Sequence, residues 1–273
     1  MPDPFPRDLL PLVRELAREA GDTALGFFRR GKPSTARLWS KAGGSPVTEA
    51  DVAVDAFLKV RLSQALPEAG WLSEETADDP SRLHARLVWI VDPIDGTRAF
   101  IGGHPDWSVA VALLAEGRPV LGVVHAPAHD ALYDAERGGG ARRNGEPIRA
   151  SAFDTLRGAR VAGPKPQVDR LERTAGPVRR VERIPSLALR LVRVAEGAVD
   201  AGLVSSDSRD WDLAAADLIL SEAGGILTDL DGRPLLYNRP DPVHGELLAA
   251  SRRLHPALIG AMTASPPRAA AGR

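Results

Sequence analysis

The apolar run Leu87-Val88-Trp89-Ile90-Val91 ends abruptly on Asp92-Pro93-Ile94-Asp95-Gly96-Thr97. A strand with one face in water alternates apolar and polar residues, so an unbroken run describes a strand covered on both faces. Its sheet needs a packed layer on each side, and the flanking sequence offers helices to supply them. Leu9, Val13, Leu16 and Ala20 recur at helical spacing. Val54, Phe57, Leu58, Leu62 and Ala65 do the same after Thr48, with Asp51 three positions beyond it as in a capping box.

Further elements follow. Val109 to Leu114, Val120 to Val124 and Ala131 to Asp134 predict strands of an antiparallel meander, with turn signals at Glu116-Gly117-Arg118-Pro119 and Asn144-Gly145. Ser186 to Glu196 predicts a helix and Ala198 to Val204 a strand. Leu213, Ala216, Leu220 and Ala223 mark a helix that stops at Gly224-Gly225. Ile226 to Asp229 and Glu246 to Ala250 predict short strands, and His255 to Met262 a last helix. The stretch from Phe153 to Arg183 is rich in Arg and Pro and shows no clear period. The expected class is mixed α/β in layers. Residues 1–154 are expected to form one α+β subdomain, residues 155–264 a second, and residues 265–273 a disordered tail.

Composition removes several functions. The chain of 273 residues has no Cys, which excludes a disulfide framework, a thiolate metal site and a cysteine nucleophile. Its net charge of −1 supplies no field to attract a nucleic-acid polymer or an anionic membrane. Met1 to Arg7 has no apolar core of a signal peptide, and no stretch is long and apolar enough to span a bilayer. The expected location is the cytoplasm.

Three acidic groups lie where elements end: Glu74 with Glu75, Asp92 with Asp95, and Asp207, Asp210 and Asp212. Carboxylates suit hard cations such as Mg²⁺. Asp92 sits at a stiff strand end, and Asp95 returns three positions later, near enough to share a cation. Gly96 and Thr97 can open a helix whose first N–H groups face an anion. Either dipeptide, Asp-Pro or Asp-Gly, is alone an ordinary turn. Together the residues have what metal-assisted phosphoryl transfer needs.

Asp92-Pro93-Ile94-Asp95-Gly96-Thr97 resembles the D-P-[IL]-D-G-[ST] motif of the inositol monophosphatase superfamily. Trp211-Asp212-Leu213-Ala214-Ala215 and Glu222-Ala223-Gly224-Gly225 resemble its W-D-x-A-A and E-A-G-G. Ser45-Pro46-Val47-Thr48-Glu49-Ala50-Asp51 with Leu72-Ser73-Glu74-Glu75 resembles its amino-terminal metal-binding half. The resemblance implies a layered αβαβα sandwich that hydrolyses small phosphate monoesters with two or three Mg²⁺ ions, and inhibition by Li⁺. It implies Glu74, Asp92 and the Ile94 carbonyl as ligands of one ion, and Asp92, Asp95 and Asp212 as ligands of a second. Glu74 would also touch a weaker third. Thr97 and Asp51 would orient and activate the attacking water, Gly96 and Thr97 would hold the phosphate, and Asp212 would also contact the substrate. The partner would be a small phosphorylated metabolite, and a homodimer is an allowed assembly.

Other residues have plainer readings. Asp51 can be the acid of its capping box as well as a catalytic group. Glu75 is expected to face solvent or to stand behind the ligands. Asp207 and Asp210 are expected to favour a helix N-terminus, and Trp89 and Trp211 to pack. His125 and His129 are separated by Pro127, which excludes a helical metal face. Lys41 matches a family lysine near the metals or is a solvated loop charge.

Leu72-Ser73-Glu74-Glu75, Thr97-Arg98-Ala99-Phe100-Ile101 and Leu121-Gly122-Val123-Val124-His125-Ala126-Pro127 lean toward the CysQ-like branch, 3'(2'),5'-bisphosphate nucleotidases that convert adenosine 3',5'-bisphosphate to AMP. Two positions depart: His125 replaces a usual Tyr of that branch. Ser205 replaces the Glu that grips an inositol hydroxyl in true inositol monophosphatases. Lys165 or Arg209 could meet a second phosphate. Inositol-1-monophosphatase, histidinol-phosphatase and a non-catalytic cation- or nucleotide-binding relative remain as alternatives, though every expected ligand carboxylate is present. A haloacid-dehalogenase-type mechanism needs D-x-D, and this chain has D-x-x-D.

Overall fold

The computed structural model describes residues 9–41 and 44–264. The expected tail at 265–273 and the segment Met1 to Arg7 lie outside the described residues, as does Gly43 of the loop before Pro46. Seven α-helices are present among the described residues: α1 (Leu9–Leu25), α2 (Glu49–Ala65), α3 (Thr97–Gly102), α4 (Lys165–Ala175), α5 (Leu187–Ala195), α6 (Asp210–Glu222) and α7 (His255–Thr263). None is long and apolar enough to cross a membrane.

Strands β1 (Leu38–Ser40) and β2 (Pro46–Thr48) form a hairpin. A seven-stranded sheet follows in chain order: β3 (Gly70–Ser73), β4 (Leu87–Asp95), β5 (Ser108–Ala115), β6 (Arg118–Ala126), β7 (Ala131–Glu136), β8 (Ala141–Arg143) and β9 (Glu146–Pro147). Only β3 and β4 are parallel; the rest is antiparallel, including the expected meander. The second sheet contains β10 (Arg160–Ala162), β11 (Arg179–Arg180), β12 (Ala201–Val204), β14 (Gly225–Asp229) and β16 (Leu247–Ser251), ordered β11-β10-β12-β16-β14. Between its members, β13 (Ser208–Arg209) pairs with β15 (Val243–His244).

Alternation along each strand sorts the core into layers. Trp89 and Val91 of β4, with Val109, Val111 and Leu113 of β5, pack against α1 and α2. Val88 and Ile90, with Ala110, Ala112 and Leu114, face α5 and α6. The second sheet covers the other side of α5 and α6 through Val204, Leu227, Leu247 and Ala249. Its outer face, Val161, Leu203, Leu248 and Ala250, is closed by α4 and α7. The order is αβαβα, as the resemblance implies, and it places a layer on both faces of β4. Small side chains toward α6 allow a close approach: a Cβ at Gly122 of β6 would stand 2.6 Å from the Ala215 carbonyl oxygen of α6.

Boundaries differ from expectation in several places, among them the strand expected from Ala198, which begins at Ala201. β4 continues through Asp95, with a register shift between Asp92 and Asp95, so both carboxylates belong to the strand end. The illegible stretch 153–183 contains β10, α4 and β11. Strands of two and three residues carry too few side chains to show a period.

Candidate active site

The parallel pairing of β3 with β4 sets Ser73 opposite Val91, and the Glu74 N–H donates to the Val91 carbonyl at 3.3 Å. This register delivers Glu74 beside Asp92. At the same end β4 bulges. The Ile94 N–H donates to Asp92 Oδ1 at 3.0 Å, and Gly96, at φ 92°, turns the chain into α3. A non-glycine residue is costly there. Phe100 anchors α3 edge-on to Trp107, their ring centroids 5.1 Å apart, and thereby fixes Thr97 at the helix start.

From the opposite layer, the first turn of α6 brings in Asp212. The Arg209 N–H donates to its Oδ2 at 2.6 Å. Oxygens of Asp92, Asp95 and Asp212 then all lie within 4.8 Å of one another. Glu74 stands outside that triplet but close enough for its charge to act on Asp92. Its carboxylate is paired with Lys41 Nζ at 2.8 Å, and Lys41 also reaches Glu75 at 2.7 Å. Lys41 is therefore no solvated loop charge. The Glu75 side chain is only 6% exposed and does not face solvent.

Burial dominates the electrostatics. It pushes Asp92 well above the usual carboxylate range, and repulsion from Glu74, Asp95, Asp212 and Asp51 adds to it. Asp212 is likewise raised, by burial and then by Asp95. Burial pushes Asp95 up to about 6 despite hydrogen bonds from Ser186, Ala188 and Leu187. Glu75 is pushed to about 7, again by burial, against the pull of Lys41. Burial also disfavours charge on Lys41, but its hydrogen bonds to Glu74 and Glu75 outweigh that and raise its pKa. Buried carboxylates that repel one another fit a hard cation, which would offset the repulsion, and the donor set is oxygen throughout.

Asp51 serves two neighbours. Its Oδ2 accepts from the Thr48 N–H at 2.8 Å and from the Thr48 hydroxyl at 2.5 Å, closing the capping box of α2. Its Oδ1 lies 3.3 Å from Thr97 Oγ1, which is also 3.0 Å from the Ile94 carbonyl. Burial raises Asp51 to about 6.

Beside the acidic triplet opens a cavity of about 790 Å³. Asp95, Asp212 and Asp207 form part of its wall, and Arg98, Arg180, Arg183, Arg190 and Lys165 line it too, with Ser205 and Ser208. Lys165 is paired with Asp169 at 2.7 Å. Arg209 is not among the lining residues and lies 3.8 Å from Asp241. Arg98 and Arg183 are exposed and form no ion pair among the described residues. Arg190 donates to the Leu203 and Ile184 carbonyls at 3.0 and 2.9 Å, leaving its buried Nε unpartnered. The Ser208 hydroxyl is also buried without a partner. Arg183, Arg190 and Ser208 carried no sequence signal of their own. Arg183 and Arg190 line one cavity with Asp95 and Asp212 only because the chain after β11, running into α5, packs beside the end of β4 and the start of α6.

Asp207 is exposed, lies outside the first turn of α6 and lines the cavity. The other acidic and aromatic residues singled out in the sequence are structural. Asp210 does more than favour a helix terminus: fully buried, it accepts from Asn238 N–H at 2.7 Å and contacts His244 Nε2 at 2.7 Å. Trp89 is buried, and Trp211 packs at the core's edge. His125 bonds to the Ala17 carbonyl and His129 to Asp106, so the two share no site.

The chain matches the inositol monophosphatase family over residues 6–266. It is 34% identical to a 3'(2'),5'-bisphosphate nucleotidase CysQ of Aggregatibacter actinomycetemcomitans, covering 85% of this chain and 88% of that protein. It is 38% identical to a histidinol-phosphatase of Chlorobaculum parvum, covering 82% and 86%. The IMPase of Thermotoga maritima superposes with a TM-score of 0.81 at 29% identity, covering 93% of this chain and 96% of that one.

Proposed function

The chain belongs to the inositol monophosphatase family and is a phosphatase, and on that footing we propose that it hydrolyses a 3'(2'),5'-bisphosphate nucleotide with Mg²⁺. Asp92, Asp95 and Asp212, with Glu74 and the Ile94 carbonyl, would hold two or three ions. Bound there, Mg²⁺ supplies charge neutralisation at the phosphoryl oxygens and acidifies water. The protein's own residues do the rest. Thr97 Oγ1 accepts a hydrogen bond from the attacking water and passes its own hydrogen toward Asp51 Oδ1. Asp51, raised to about 6 by burial, is poised to take a proton near neutral pH. The start of α3 at Gly96 and Thr97 directs N–H groups toward the phosphate.

One observation supports the nucleotide over other monoesters. The cavity leads from the acidic triplet to Arg98 and Arg183, two cations without acidic partners among the described residues. A substrate with a second phosphate satisfies them. Inositol 1-phosphate brings no second anion, and the amine of histidinol phosphate would be repelled.

Initial rates with Mg²⁺ on adenosine 3',5'-bisphosphate, inositol 1-phosphate and histidinol phosphate test this reading. The bisphosphate is expected to lead in kcat/KM by at least about tenfold, which corresponds to ~1.4 kcal/mol of differential transition-state binding. Arg183→Ala should narrow that lead and leave the rate on inositol 1-phosphate unchanged. A clear preference of the wild type for inositol 1-phosphate or histidinol phosphate would refute the bisphosphate assignment.

A further inference from the structure

The carboxylate of Asp95 is gripped from the far layer, by a segment more than ninety residues away in sequence. The Leu187 N–H donates to its Oδ1 at 3.1 Å, and the Ala188 N–H donates to its Oδ2 at 2.6 Å. The Ser186 hydroxyl donates to the same Oδ2 at 2.5 Å. Ser186 Oγ in turn accepts from the Leu189 N–H at 3.0 Å and caps α5. A hydroxyl has one hydrogen to give. That of Ser186 is spent on Asp95, so across the 3.0 Å contact between Ser108 Oγ and Ser186 Oγ the donor is Ser108. Ser108 and Ser186 are fully buried. Ser108 also stands opposite Asp95 in the β4–β5 ladder, at the register shift. A single directed chain therefore runs from Ser108 through Ser186 to Asp95.

The occupancy of the two oxygens differs. A carboxylate oxygen offers about two lone-pair directions. Oδ2 has both filled by Ser186 and Ala188, whereas Oδ1 has one filled by Leu187. We infer that Ser186, backed by Ser108, is a positioning residue: it locks the Asp95 carboxylate so that Oδ1 alone is presented to a cation shared with Asp92 and Asp212. The inference rests on the reading of the acidic triplet as a Mg²⁺ site. Partners that orient a metal-binding group are commonly worth about 10- to 100-fold in metal affinity. Without Ser186, Asp95 loses its strongest fixed contact and its carboxylate is free to turn.

The test compares wild type, Ser186→Ala, Ser186→Thr and Ser108→Ala, all as full chains. Two midpoints are read: the Mg²⁺ dependence of the thermal-unfolding shift and that of the initial rate. Ser186→Ala should raise both midpoints at least about tenfold, with kcat largely recovered at saturating Mg²⁺. Ser186→Thr should restore them, and Ser108→Ala should raise them severalfold. If Ser186 were only the cap of α5, its alanine variant would unfold earlier in chelator yet keep the wild-type midpoints, and that result overturns the inference. Should Ser186→Ala not fold, Ser108→Ala decides, because it leaves the α5 cap in place; unchanged midpoints there are equally fatal. A wild type that shows no Mg²⁺ response overturns the metal reading and this inference together. A wild-type response with unaltered variants overturns this inference alone.

Discussion

Asp92→Asn is expected to raise the unfolding temperature of the metal-free protein while lowering phosphatase activity by at least ~10². The two effects have one cause. Asp92 is 1% exposed and stands among Glu74, Asp95, Asp212 and Asp51, so its charge is opposed by burial and by its neighbours. Asparagine removes the charge and keeps the oxygen that accepts from the Ile94 N–H. The sign of the pH dependence follows. A carboxyl whose pKa rises on folding binds more protons folded than unfolded, so stability falls as pH climbs from the ordinary value through the raised one. Asp95 and Asp51, each raised to about 6, act in the same direction. The variant's advantage over the wild type should therefore be small near the ordinary carboxylate pKa of about 4 and grow as the pH climbs above it. Mg²⁺ should then stabilise the wild type by mass action and the variant much less. Thermal unfolding across pH, in chelator and in Mg²⁺, beside initial rates, checks all of this. Were Asp92 only a turn residue, asparagine would serve nearly as well and neither quantity would move.

Asp51→Asn is expected to cost about 10²- to 10³-fold in kcat with little loss of stability. The two oxygens of Asp51 divide its roles. Oδ2 closes the capping box with Thr48, and Oδ1 faces Thr97. An asparagine side chain still offers one oxygen to the Thr48 N–H, so the cap of α2 largely survives. Its amide nitrogen, however, cannot receive a proton from Thr97. The wild-type rate should rise with pH on an acid limb near 6, where Asp51 ionises, and the variant should lack that limb. Rates across pH and the unfolding temperature of both proteins separate the roles. An Asp51→Asn enzyme with full kcat and a lower unfolding temperature would leave Asp51 as a cap residue only.

What was legible in the chain was what lies close together in it. The run from Leu87 to Thr97 states its own strand and helix start, though not the bulge that carries the strand on to Asp95, because turn chemistry and apolar burial act within a few residues. Thr48 and Asp51 declare a helix entry by spacing alone. A strand apolar on both faces, with helices alternating with strands, pointed to layers, while their αβαβα order came from the family resemblance. Partnerships between layers were not legible. Ser186 reads only as the first residue of an expected helix until α5 docks beside Asp95. Glu75 reads equally as a surface acid or as one behind the ligands until Lys41, from the β1–β2 hairpin, is seen to cover it. Arg183 sits among many arginines, and only the course of the chain after β11 brings it to the cavity. The helix α4 was missed because only Gln167, Val168 and Leu171 of its residues are buried, too sparse a stripe to stand out beside its Arg and Lys.

If the acidic triplet works by holding Mg²⁺, the enzyme must stop when the ion is taken away. Phosphate release from adenosine 3',5'-bisphosphate is therefore measured in excess chelator and again after Mg²⁺ is restored. Activity should vanish in chelator and return in full with Mg²⁺, and Li⁺ should inhibit it. Undiminished turnover in excess chelator would contradict the assignment of Asp92, Asp95 and Asp212 as ligands of a catalytic cation.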